Sequence, residues 1–187
     1  MSSTRIAING FGRIGRLALR RALQIDDLEV ACVNDLADGE MLAYLFKRDS
    51  VHGSYPGEVS YENGALMVDG KAIPFTANRD PREAGWGDMG VDVVLEATGV
   101  FTARDKAALH LEGGAKRVLV SAPAKDADIT VCLGVNHEDF DPSQHMVVSN
   151  ASCTTNCVAP PLKALHEAFG VKFGMLNTIH AYTMGQG

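Results

Sequence analysis

The segment Gly10-Phe11-Gly12-Arg13-Ile14-Gly15 narrows what this chain can become more than any other. It follows an apolar β-rich run, RIAIN, and opens a helical pattern that the spacing predicts over 14–25. Glycines at this spacing between strand and helix do different things: the first permits a tight turn, the second lets backbone approach a ligand, and the third lets helix and strand pack closely. A second strand pattern, LEVACVN, and a second helical pattern over 39–47 follow. Such alternation predicts βαβ units in a parallel sheet.

The stretch VSYENGALMVDGKAIPFT interrupts that rhythm with short strands and two turn signals, Asn63-Gly64 and Asp69-Gly70, as in an antiparallel meander at the sheet's edge. Parallel units then resume in VDVVLEATG, a helix over 102–111, KRVLVSAP, DITVCLG and HMVVSN. Two of these strands, VDVVLEAT and KRVLVSA, are nearly continuous apolar runs, as expected when both faces are covered. The fold class is therefore α/β: a doubly wound, mostly parallel sheet of Rossmann type. After Asn150 the pattern changes to a helix over 153–169 and a strand over 171–183, VKFGMLNTIHAYT. We read 1–150 as a dinucleotide-binding domain and 151–187 as the start of an α+β catalytic domain.

The chain has 187 residues and is 46% hydrophobic, enough for one full core and part of a second. A formal charge of -6 without a Lys/Arg run argues against nucleic acid or an anionic membrane as partner and favours a small molecule. No apolar stretch reaches the roughly 18 residues of a membrane span, and no basic and apolar leader precedes the first strand, so a cytoplasmic location is expected. The four cysteines have neither the density of a disulfide scaffold nor zinc-type CxxC pairing. Cys32 and Cys132 fall in apolar strand patterns and read as inert core residues.

A glycine loop alone could be a turn without a ligand. Asp35 closes the second strand twenty positions after Gly15, where a carboxylate accepts hydrogen bonds from adenosine ribose hydroxyls and repels a 2′-phosphate. Strand, loop, helix and acid together point to a bound dinucleotide, NAD in preference to NADP, with its diphosphate at the helix N-terminus.

Ser149-Asn150-Ala151-Ser152-Cys153-Thr154-Thr155-Asn156-Cys157 places a thiol behind small polar residues at a helix start, which stabilises thiolate. The same residues also read as a capping cluster around a buried Cys. Cys157, one turn later, reads as packed. Among the histidines, His52, His110, His137, His145 and His166 read as ordinary surface residues. His180, in TIHAYT, ends an apolar strand that could hold it rigidly opposite the Cys153 helix. A Cys–His pair supplies a nucleophile and a general base. Beside a nicotinamide cofactor it suggests aldehyde oxidation through a thiohemiacetal and a thioester.

With these motifs assembled, the chain closely resembles phosphorylating glyceraldehyde-3-phosphate dehydrogenases. INGFGRIGR at 8–16, VND at 33–35, WGD at 86–88, EATGVF at 96–101, KRVLVSAPAKDADITVCLGVN at 116–136, SNASCTTNC at 149–157 and TIHAYT at 178–183 look like that family's segments, in its order. The resemblance implies Cys153 as nucleophile and His180 as base. It implies a cofactor site made of Gly10, Phe11, Gly12, Arg13, Ile14, Gly15, Asn34, Asp35, Arg79, Thr98, Gly99 and Ser121, with Arg79 near the adenine. Ser152 and Thr154 would face the attacking inorganic phosphate, and Thr183 would hold the phosphate of the substrate. The product would be 1,3-bisphosphoglycerate, and the family's assembly is a homotetramer. After HAYT the family reads Asn-Asp-Gln, whereas here Met184-Gly185-Gln186-Gly187 follows, and members are nearly twice as long. The competing readings are an NAD-binding module without catalysis, an erythrose-4-phosphate dehydrogenase with the same Cys and His, and an aspartate-semialdehyde dehydrogenase, whose glycine loop is spaced differently.

Overall fold

The first half of the described chain is built from strand–helix units. A computed structural model describes residues 3–182; the expected substrate-phosphate residue Thr183, with 184–187, lies outside the described residues. Strand β1 (Thr4–Asn9) leads into helix α1 (Arg13–Ala22), then strand β2 (Leu28–Asn34) and helix α2 (Gly39–Lys47). Three short strands follow, β3 (Val59–Glu62), β4 (Ala65–Val68) and β5 (Lys71–Thr76). They form the expected meander, and its turn residues Asn63, Gly64, Asp69 and Gly70 all have positive φ, the condition for tight hairpins. Strand β5 then pairs parallel with β2 and so enters the main sheet.

The second half adds β6 (Val93–Glu96), two single-turn helices α3 (Arg104–Ala107) and α4 (Leu109–Glu112), β7 (Arg117–Val120), β8 (Ile129–Thr130), β9 (Val147–Ser149) and the long helix α5 (Cys153–Phe169). Among the described residues the nine strands run in the order β3-β4-β5-β2-β1-β6-β7-β9-β8, parallel from β5 to β8. Leaving out the meander hairpin and the edge strand β8, this is the doubly wound order, which reverses direction between β1 and β6. Ligands of open α/β sheets bind at such a reversal, beyond the carboxyl ends of the strands.

Alternation along the strands sends side chains to opposite faces. On one face Ile8 and Val33 pack with Phe11, Leu19, Leu42 and Phe46. On the other, Ala7 and Cys32 pack with Trp86, Val91 and Val94. Helix α1 docks through Gly15, Leu19 and Ala22, a stripe at i, i+4 and i+7. Gly15 is required there: a Cβ would lie 2.1 Å from the Gly10 carbonyl oxygen. Gly15→Ala is expected to cost about 1–3 kcal/mol, the range for forcing volume into a packed contact. A thermal melt checks this, with a shift of roughly 2–4 °C for each kcal/mol.

Five expectations need correction. The helix expected over 102–111 is two single turns, α3 and α4, and the strand expected in DITVCLG is two residues long. The strand expected over 171–183 is absent among the described residues: 170–182 is irregular and largely exposed, and no described segment runs alongside it to complete a ladder. His110 is not a surface residue but fully buried, on the short helix α4 against Trp86. Cys157 is exposed and not packed, because α5 buries none of its residues. Cys32 and Cys132 are buried, as expected. Among the described residues, no helix is long and apolar enough to cross a membrane.

Candidate active site

The reversal between β1 and β6 opens into a cleft of about 440 Å³, a size suited to a small-molecule ligand. Gly10, Gly12, Arg13 and Ile14 form one wall, Asn34, Asp35 and Leu36 a second, Asn78 and Arg79 a third, and Ala97, Thr98, Val100 and Phe101 the fourth. Gly10 adopts φ +94°, and a Cβ there would meet the Thr98 amide nitrogen at 2.6 Å, so the glycine loop lies directly on the turn after β6. Gly12, by contrast, has open space where its side chain would be. It is also the N-cap of α1, and no side chain caps that helix or places an acid in its first turn. The first amides of α1 therefore have no intrahelical partner and suit a diphosphate, which fits a dinucleotide in this cleft.

Asp35 has two tasks. Its Oδ2 accepts from the Phe11 amide at 2.6 Å and its Oδ1 from the Ala37 amide at 2.9 Å. These bonds tether the glycine loop to the end of β2, and each oxygen keeps a lone pair for a ligand hydroxyl. Of the expected cofactor residues, Gly10, Gly12, Arg13, Ile14, Asn34, Asp35, Arg79 and Thr98 line the cleft. Phe11, Gly15, Gly99 and Ser121 are not among its lining residues. The Phe11 ring instead stacks on Phe46 in the core, with centroids 5.9 Å apart.

Helix α5 begins at the same carboxyl edge of the sheet, just past β9. The turn into it is sharp, because Ala151 holds φ +58°, a region that favours glycine and is sparsely used by other residues. Ser152 caps the helix, its Oγ accepting from the Thr155 amide at 2.9 Å, and the same Oγ lies 2.9 Å from Thr154 Oγ1. Asn156 ties the first turn back to the Asn150 and Ser152 carbonyls, and Lys163 Nζ reaches the Val135 carbonyl at 2.9 Å. Cys153 is thereby presented at the helix start.

His180 comes to this thiol from the irregular segment, with Nε2 3.1 Å from Cys153 Sγ. Its Nδ1 is 2.6 Å from the Ala181 carbonyl, which can only accept, so Nδ1 carries a proton and Nε2 faces the sulfur. The hydrogen bond from His180 holds the Cys153 thiol below its ordinary range, helped by the imidazolium charge and by amides at the helix start. The same bond pushes His180 up. Thiolate and imidazolium are favoured together, the condition for a nucleophile that attacks near neutral pH.

One buried network escaped the sequence reading, although Asn34 within it was expected in the cofactor site. Beneath the cleft, Asn9, Asn34, Glu96 and His110 are buried polar side chains in one hydrogen-bonded chain that ends on Trp86. The signal was present in the acid that closes an otherwise apolar strand, VDVVLE, and needs a partner once buried.

Comparison with known proteins adds a family context. Residues 4–104 match the family model described as glyceraldehyde 3-phosphate dehydrogenase, NAD binding domain, and residues 152–187 match the C-terminal domain of the same family. The chain is 55% identical over 184 residues to the glyceraldehyde-3-phosphate dehydrogenase of Geobacillus stearothermophilus, covering 98% of this chain and 55% of that protein. It is 53% identical to the Thermotoga maritima protein of the same name, covering 97% and 55%. Against glyceraldehyde-3-phosphate dehydrogenase 1 of Bacillus subtilis the identity is 52%, covering 98% and 55%. The chain spans about half the length of the curated relatives it matches.

Proposed function

Because the chain belongs to the glyceraldehyde-3-phosphate dehydrogenase family, we propose that it provides the NAD-binding domain and the nucleophile for oxidation of glyceraldehyde 3-phosphate, with inorganic phosphate, to 1,3-bisphosphoglycerate. In this reading 1–150 is the cofactor domain and 151–187 opens the catalytic domain. The observation that carries it is the Cys153–His180 contact of 3.1 Å, at the carboxyl edge of the sheet that also holds the dinucleotide cleft. Cys153 Sγ attacks the aldehyde carbon, and His180 Nε2 moves the proton between the imidazole and the resulting alkoxide. NAD, when bound, supplies the hydride acceptor. Arg13, Ile14, Asp35, Arg79 and Thr98 hold it. The hydroxyls of Ser152 and Thr154 orient the phosphate that cleaves the thioester. A homotetramer in the cytoplasm is the assembly and location we assign by family.

NAD binding is tested on the 187-residue chain by calorimetry. Asp35→Ala removes the acceptor for a ribose hydroxyl and releases the Phe11 amide, so affinity is expected to fall by about 1–3 kcal/mol. NADP is expected to bind the unaltered chain more weakly than NAD. Equal affinity of the unaltered and Asp35→Ala proteins for NAD would remove Asp35 from the site.

A further inference from the structure

The buried chain of polar groups under the cleft offers more than core stability. Glu96, at the end of β6, is 1% exposed. Its Oε2 accepts from Asn9 Nδ2 at 2.6 Å, and its Oε1 from the Thr98 amide at 2.8 Å and from the Thr98 hydroxyl. The fourth partner is His110 Nε2, 2.9 Å from Oε2. Which ring nitrogen carries the proton follows from the other end: Trp86 Nε1, which can only donate, reaches His110 Nδ1 at 3.1 Å. The His110 proton is therefore on Nε2 and points at Glu96. Four donors converge on one carboxylate.

These bonds end in the cleft wall. Thr98 lines the cleft, its hydroxyl also receives the Val100 amide at 3.0 Å, and Phe101, a further wall residue, packs edge-on against the His110 ring with centroids 5.9 Å apart. We propose that Glu96, oriented by His110, is a positioning residue that sets the turn 97–101 against which the second mononucleotide half of the dinucleotide binds. This rests on the NAD reading above. In a doubly wound sheet each half of a dinucleotide sits on one set of strands. The adenosine half falls on β1, β2 and β5, where the glycine loop has its own tether through Asp35 and the Phe11 amide. The other half falls on β6 and beyond, where the turn is held by Glu96.

Glu96→Gln separates the two halves. The glutamine has one oxygen and one NH₂ group, so whichever way it turns, its NH₂ meets a donor. Turned toward Asn9 and His110 it would face two N–H groups; turned toward Thr98 it faces one N–H and a hydroxyl that can rotate to accept. It therefore turns toward Thr98, and the Thr98 amide loses its acceptor. Calorimetry of the 187-residue chain with NAD, and with 5′-AMP as the adenosine half alone, reads the consequence. Glu96→Gln is expected to weaken NAD by about tenfold, the loss for an unpaired buried donor, and 5′-AMP by less than about twofold. His110→Phe fills the ring's space while removing one donor, and is expected to lower the NAD to 5′-AMP affinity ratio by about threefold. It serves as the second variant if Glu96→Gln does not fold. Trp86→Phe leaves all four donors on Glu96 and is expected to lower thermal stability without moving the ratio.

Equal losses of both nucleotides, an unchanged ratio in Glu96→Gln and His110→Phe, or a Trp86→Phe ratio that falls as far as theirs would each overturn the positioning role. Failure of the unaltered chain to bind either nucleotide is a different result: it overturns the NAD reading, and the proposal with it.

Discussion

Brief treatment with iodoacetamide at neutral pH is expected to label Cys153 first, and His180→Ala is expected to slow that labelling by up to about thirtyfold. The bound follows from thiol chemistry: an ordinary cysteine titrates near 8.5 and is only a few per cent thiolate at pH 7, so full ionisation raises the reactive fraction by about that factor. His180 lowers the Cys153 thiol by donating to it, and the thiolate in turn raises the imidazole. The sign is fixed by those two directions. The ion pair exists between the lowered thiol value and the raised imidazole value, so labelling rises on the acid side of the ordinary thiol range. Removing the imidazole moves that rise back toward about 8.5. The other cysteines serve as internal controls. Cys157 is exposed but has no imidazole against it, Cys132 is buried, and burial pushes the Cys32 thiol up. Peptide mapping after timed quenching ranks all four. Labelling of Cys157 or Cys32 ahead of Cys153, or a His180→Ala profile that does not move, would remove the activated pair.

What the sequence revealed and what it hid divide along one physical line. Local rules carried the glycine loop, the two hairpin turns and the start of α5, because Gly10, Asn63-Gly64 and the Ser152 cap each answer to a backbone requirement a few residues wide. The parallel strands were legible for the same reason: an apolar run closed by Asn34-Asp35 or Glu96-Ala97 marks its own carboxyl end. His110 was misread because its environment is set by Trp86 and Glu96, 24 and 14 positions away, and nothing in the local pattern LHLE distinguishes a buried ring from a solvated one. The segment 171–182 failed in the opposite way. Its composition suits a strand, but a strand is a relation between two segments, and among the described residues it has no neighbour. His180 nevertheless reaches Cys153, so the chemical pairing expected from the motif arises from a different local structure than the one expected.

Turnover should respond most strongly to how that pair is supported. The 187-residue polypeptide alone is expected to reduce NAD with glyceraldehyde 3-phosphate and phosphate at least about a hundredfold more slowly than when supplemented with the part of a relative that its match leaves uncovered. Holding reacting groups in place supplies on the order of 7–11 kcal/mol of a barrier, and a misplacement of about 1 Å already costs roughly a hundredfold. Here both Cys153 and His180 are exposed, α5 buries no residue, and the segment that delivers His180 presents Phe173, Met175 and Ile179 almost fully to solvent. A pair this exposed is reactive toward a small alkylating agent, which needs only the thiolate, whereas a reaction that must also align a carbonyl carbon requires water to be excluded. The assay follows absorbance of the reduced cofactor, with Cys153→Ser as the blank in both arms. Robust Cys153-dependent turnover by the polypeptide alone would show that α5 and 170–182 hold the pair without further support, whereas turnover appearing only on supplementation would place the missing rigidity in the added part.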